Sequence, residues 1–397
     1  MEINANFDSG SIEVVSIDAK NQSAQLNIAY DAPDKGKPYL QWFHFRAMKV
    51  APGTACKFTI LNAGSTTYPE GWINYNVCYS YDRQVWKRCP TTYDAKDGMS
   101  WTLASEHASV FFAYYPPYSQ ERLLDFITEC QCSPSKRCLV DSLGLTLDGN
   151  TLDLLCLGSP PVSVGQHNNG KLKFWIIARQ HPGESQASWW MEGFLRRLLD
   201  KNDAVALRLL DKVDFYVVPN MNPDGSKRGY LRVNAAGKNL NREWDRATME
   251  ESPEVFQCQA AMKTTGMDFC LDVHSEEELE YVFLSKTPLG IPDLKAEQEQ
   301  LYWSYCSCLQ QANPEFQTEF GYKMPEKGKS NLGICCAWAA QEYGCLAMTQ
   351  EQPFKDNCLF PEKQEEWSVD RCRKLGFSVL DAMYGVLGKL ASYRAAQ

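Results

Sequence analysis

Apolar and polar residues alternate over short stretches through the first 115 positions. SIEVVSID (11–18), SAQLNIAY (23–30), YLQWFHFRAM (39–48), CKFTILNA (56–63), YNVCYSYD (75–82) and ASVFFAYY (108–115) are rich in β-branched and aromatic residues. Gly, Pro, Asp and Asn separate them. Several repeat with period two, as strands do when one face meets a core and the other meets water. Their spacing predicts an all-β sandwich over residues 1–117. Paired prolines in YYPPYSQ (114–120) break the pattern. SQERLLDFITEC then takes helical periodicity with Ser119 as its cap, which puts a boundary there.

From there to residue 397 the pattern changes. KFWIIARQ (173–180), KVDFYVVPN (212–220), MDFCLDVHS (267–275) and CLAMTQE (345–351) are nearly continuous apolar runs. Longer amphipathic segments lie between and after them: 185–200, 293–312, 333–344 and a closing stretch through VDRCRKLGFSVLDAMYGVLGKL. Strands without alternation, separated by helices, predict a largely parallel sheet covered on both faces, hence an α/β domain over 118–397.

Composition narrows the classes. The chain has 397 residues, 44% of them hydrophobic and 12% aromatic, which suffices for a large core. A net charge of −9 argues against nonspecific nucleic-acid binding. The amino-terminal residues lack a basic segment followed by an apolar one, so no secretory signal is expected. Apolar runs are far shorter than the roughly 20 residues that span a bilayer, so no membrane partner is expected either. Many of the sixteen cysteines sit inside apolar patterns, which reads as reduced core thiols in a cytoplasmic protein. Cys130, Cys132 and Cys138 lack the second pair that a metal site of that kind needs.

Candidate chemistry gathers where strands end. One run leads to His181 and Glu184, a second to NPDG (222–225), a third to His274 and a fourth to Glu351. In open α/β sheets ligands bind beyond the carboxyl ends of the strands. His181, Glu184 and His274 form a nitrogen–oxygen–nitrogen set suited to one Zn²⁺ with an open position for water. The bland alternative is a turn-capping histidine and a core histidine. Asp272 shares a strand face with His274 and is a candidate to orient it. Glu351, at the end of a buried strand, is a candidate general base. Arg228, Arg232, Lys238 and Arg242 make a basic loop in an acidic protein, which suggests an anionic substrate group or a developing oxyanion. A solvated loop is the alternative, and it is the reading kept for Arg228 and Lys238.

HPGE (181–184), NPDG (222–225), YLRVNAAGKNLNREW (230–244), DVH (272–274) and TQEQPF (349–354) together resemble the zinc carboxypeptidase family, and within it the cytosolic carboxypeptidases and their bacterial members. Residues 1–115 also look like the amino-terminal β-domain of that subfamily. The resemblance implies an α/β sheet of about eight strands behind a β-sandwich. It implies zinc on His181, Glu184 and His274, Glu351 as base, Arg232 facing the oxyanion, and Asn241 and Arg242 on the substrate's terminal carboxylate. The implied reaction removes a C-terminal amino acid from peptides or protein tails. Subfamily relatives favour acidic C-terminal residues such as glutamate on tubulin tails, and Lys327 and Lys329 are the residues that could receive one. Gln350 and Gln352 depart from the usual apolar pattern. Tyr322 and Tyr343 are both candidates for a substrate-contacting tyrosine. Two other functions stay open: a zinc amidohydrolase acting on N-acyl amino acids, and a peptide-tail-binding module with weak catalysis.

Overall fold

The computed structural model describes residues 1–32, 39–166, 170–362 and 365–397. Ten short strands come first: β1 (Glu2–Asn4), β2 (Glu13–Asp18), β3 (Ser23–Asn27), β4 (His44–Met48), β5 (Ala55–Ile60), β6 (Val77–Ser80), β7 (Lys87–Cys89), β8 (Thr91–Asp94), β9 (Gly98–Ala104) and β10 (Ser109–Ala113). They form two five-stranded sheets, ordered β1-β4-β10-β6-β7 and β2-β3-β5-β9-β8. Inward aromatics fill the space between them: Trp101 stacks on Phe58 at 5.6 Å and on Phe43 at 6.1 Å. Among the described strands of these two sheets, only the β3–β5 pairing is parallel. This is the expected sandwich.

Helix α1 (Gln120–Gln131) follows, and the Ser119 side chain accepts from the Arg122 N–H as a cap should. The second sheet system contains β11 (Cys138–Leu145), β12 (Thr151–Leu157), β13 (Leu172–Ala178), β14 (Val213–Val218), β15 (Phe269–Val273), β16 (Phe283–Leu284) and β17 (Leu346–Glu351). Its order is β11-β12-β14-β13-β15-β17-β16. The central four strands are parallel, and the pairs at both edges are antiparallel. The described residues thus give seven strands where about eight were expected, and a sheet that is parallel only at its centre. The pattern concealed β11 because none of its residues is fully buried and Asp141, Ser142 and Gly144 interrupt its apolar positions.

Helices α2 (Gln186–Leu198), α3 (Ala204–Lys212), α4 (Pro223–Arg228), α5 (Pro253–Thr265), α6 (Ala296–Ala312), α7 (Cys335–Tyr343) and α8 (Val369–Ala395) complete the domain. One apolar cluster joins the sandwich to the face under α2, α6 and α8, and a second lies under α5 and α7. Helices α2 and α8 cross at van der Waals distance. A Cβ on Gly193 would stand 2.1 Å from the Arg373 carbonyl oxygen, and one on Gly376 would stand 2.0 Å from that of Trp190. Both crossings therefore require glycine.

The register of the parallel strands positions the site. Ala178 pairs with Val273, and Val273 pairs with Gln350. The chain beyond each strand therefore leaves the sheet at one level, which carries His181, His274 and Glu351 to a common edge.

Candidate functional site

Arg179 makes the joint between β13 and the turn. It holds φ at 61°, a conformation non-glycine residues rarely adopt. Its buried guanidinium donates through Nε to the Pro182 carbonyl at 2.9 Å and through Nη1 to that of Tyr118 at 2.8 Å. The turn is further fixed by the Gly183 N–H, which donates to Leu231 O at 2.8 Å. At Gly183 a Cβ would sit 3.0 Å from Leu231 Cα.

Held this way, His181 and Glu184 meet His274. The two Nδ1 atoms lie 3.1 Å apart, and the Glu184 carboxylate reaches one at 2.7 Å and the other at 2.8 Å. All three side chains offer ligand atoms within 4.8 Å of one another, and all are buried. Each imidazole turns its other nitrogen to an oxygen: His181 Nε2 to Asn239 Oδ1 at 2.9 Å, and His274 Nε2 to Asp272 Oδ2 at 2.9 Å. Those partners favour a proton on Nε2 and leave Nδ1 free as a ligand. Two imidazoles and a carboxylate converging on one point suit Zn²⁺. Burial, then the Arg232 charge, push His181 down to about 3, which keeps it neutral. Burial opposes the charged form of His274, yet Asp272 and Glu184 carry it well above its ordinary value. Burial likewise opposes the Glu184 anion, but the two histidines hold its carboxyl below the usual range.

A cavity of about 410 Å³ opens over this cluster. His181, Glu184, Arg232, Asn241, Arg242, His274 and Glu351 all line it. Glu351 is 6% exposed, with Oε1 3.4 Å from the Tyr322 hydroxyl and no hydrogen-bond partner for Oε2 among the described residues. Burial pushes its carboxyl well up, with His274 opposing and Glu184 and Glu276 adding. Arg242 is lowered by burial and by its neighbour Arg232, two like charges that an anion between them would relieve. Asn241 places Nδ2 3.2 Å from His274 Nε2 and accepts from the Cys335 N–H at 2.9 Å.

Of the two candidate tyrosines, Tyr322 lines the cavity and hydrogen-bonds Glu276, while Tyr343 packs on Trp338 at 5.7 Å, off the wall. Lys327 and Lys329 are exposed and also lie off the wall. Arg228 and Lys238 pair with Asp148 and Glu251, as surface residues do. The sequence patterns did not reveal Tyr68, Asn239, Glu276, Glu277 or Glu278. The acidic run that follows His274 and Ser275 was the available signal for the last three. All sixteen cysteines are free thiols.

Residues 123–366 match the zinc carboxypeptidase family, and residues 3–115 match the cytosolic carboxypeptidase N-terminal domain. The chain belongs to the zinc carboxypeptidase family. It is a metallocarboxypeptidase whose family uses a zinc ion. An uncharacterized Zymomonas mobilis protein is 39% identical over 98% of this chain and 97% of its own length. A metallo-carboxypeptidase from Pseudomonas aeruginosa, solved with (2-guanidinoethylmercapto)succinic acid, superposes with a TM-score of 0.90 at 39% identity, covering 98% of this chain and 100% of that one. Human cytosolic carboxypeptidase 1 is 25% identical over 72% of this chain, which spans only 26% of that longer protein. Among the described residues no helix is long and apolar enough to cross a membrane.

Proposed function

We propose that this protein is a cytoplasmic exopeptidase that hydrolyses the last peptide bond of peptides or protein tails, with residues 118–397 catalytic and residues 1–117 a supporting domain. One observation carries the reading: the His181–Glu184–His274 cluster shares its cavity with a buried carboxylate, Glu351, and two arginines, Arg232 and Arg242. His181, Glu184 and His274 would hold a zinc ion, which would supply Lewis acidity at the scissile carbonyl. Glu351 takes a proton from the attacking water and returns it to the departing amine. Arg232 faces the oxygen that gains negative charge. Arg242 and Asn241 hold the terminal carboxylate and so measure the distance to the chain end.

The rest of the wall bears on preference. Among the described residues no lysine lines it, while Glu276, Glu277 and Glu278 stand on it. Such a wall favours a cationic side chain beside the scissile bond over an acidic one. The ligand named with the Pseudomonas relative joins a guanidine to a dicarboxylic acid, a charge pattern that suits this wall and the Arg242 anchor.

Glu351→Gln is expected to cut kcat about 10³-fold with zinc content unchanged. Full activity in that variant ends the base assignment. Amidated peptides are expected to resist cleavage, and a zinc amidohydrolase would instead cleave short N-acyl amino acids in preference to longer peptides. A panel of C-terminal residues reads preference, and faster release of Glu than of Lys or Arg would refute the acidic-wall argument.

A further inference from the structure

The cation assigned to the oxyanion is held from the other domain. Asp31 belongs to the sandwich and is 3% exposed. Its carboxylate accepts the backbone N–H of Leu231 at 2.8 Å, of Arg232 at 2.7 Å and of Val233 at 3.4 Å. Three consecutive donors on one carboxylate fix the backbone on both sides of Arg232. Leu231 in turn accepts from the Gly183 N–H at 2.8 Å, so the clamp continues into the turn that carries His181 and Glu184. The same domain reaches the guanidinium directly. Arg232 Cζ lies 5.6 Å from the Tyr68 ring centre and 5.9 Å from that of Tyr39. Tyr68 also lines the cavity, and Gln41 fixes its backbone through two hydrogen bonds of 3.1 Å. An interdomain latch needs a carboxylate somewhere along the seam. It does not need one on the residue whose side chain enters the cavity, nor aromatic faces on that side chain.

We infer that Asp31 is a positioning residue that sets Arg232 for the reaction, and that the sandwich thereby forms part of the catalytic site. The inference rests on reading Arg232 as the oxyanion cation. An arginine aimed at charge that develops only in the transition state contributes through its placement, so loosening its backbone lowers kcat more than it raises KM.

The test uses the full zinc-loaded chain. Asp31→Asn keeps the shape but turns an amide N–H₂ toward a backbone N–H. Asp31→Ser opens the space to water and serves as the second variant. Each is assayed for kcat and KM on a peptide with a free C-terminus, for binding of a phosphonate peptide analogue, for zinc content and for melting temperature. Each is also combined with Arg232→Ala. The expected result is a loss of about 10- to 100-fold in kcat, a KM shift within about threefold and an equal loss in phosphonate affinity, with zinc retained. In the Arg232→Ala background the same substitutions are expected to change kcat by less than about twofold. A full, additive loss in that background overturns the clamp. So does a lowered melting temperature with kcat unchanged, which marks a latch only. If Arg232→Ala alone leaves kcat intact, the oxyanion reading itself fails, an outcome distinct from additivity.

Discussion

His274 stands at the end of a chain of hydrogen bonds. Trp244 Nε1 donates to Gln180 Oε1 at 2.8 Å, Gln180 Nε2 donates to Asp272 Oδ2 at 2.7 Å, and that oxygen lies 2.9 Å from His274 Nε2. Asp272 therefore selects the tautomer and the ring orientation of a proposed zinc ligand. Asp272→Asn should weaken zinc binding by about 10- to 100-fold, read by titration against a competing chelator. An unchanged zinc affinity would show that the ring is held by packing alone. The pairing of Asp272 with His274 was legible, because strand alternation puts residues i and i+2 on one face. HPGE and NLNR were legible for a similar reason: the residues proposed to act together lie within a few positions of one another. Asp31 was not, because its partners lie 200 and 201 positions away and no spacing rule reaches that far. Tyr68 was hidden in the same way.

At the scale of elements, β13, β15 and β17 were legible because every residue in them is buried, leaving apolar runs that nothing else explains. The segment from Gly229 to Glu243 was legible only as a motif, since its one regular element is a short 3-10 turn at Leu240–Arg242. It is tied down by side chains instead. Asn234 Nδ2 donates to the Glu254 carboxyl at 3.1 and 3.4 Å, which fixes the loop to the first turn of α5. Burial pushes Glu254 up to about 7, with Asn234 opposing and Asp224 and Asp148 adding. A carboxyl whose pKa is raised by folding binds its proton more tightly in the native state. Its contribution is full below about pH 4.5 and is lost as pH rises through about 7. Glu254→Gln mimics the protonated form and is expected to flatten that slope. Near pH 8 it should be the more stable protein by up to about 3 kcal/mol, read from urea midpoints across pH. Parallel curves for the two proteins would contradict this.

At the scale of the molecule, the sandwich and the α/β domain share one apolar cluster and a seam of specific contacts. Phe354, three residues beyond Glu351, stacks on Tyr114 at 4.4 Å. Arg88 Nη2 donates to the Phe354 carbonyl at 2.9 Å, Lys355 Nζ to that of Ile73 at 3.0 Å, and the Tyr115 hydroxyl to that of Trp367 at 2.8 Å. The strand that ends in the proposed base therefore continues straight into the interface. Domains that share one large apolar cluster are expected to unfold together. Zinc offers a clean probe, because its proposed ligands all lie in the α/β domain. A ligand that binds only the native state stabilises it by about 4 kcal/mol when free zinc stands a thousandfold above its Kd. If the seam couples the domains, a chelator should speed amide exchange in β5 and β9 of the sandwich by the same factor as in β13 and β15. Exchange in β5 and β9 that stays constant when zinc is stripped would show the sandwich opening on its own, and the seam would then be a contact surface that transmits no stability.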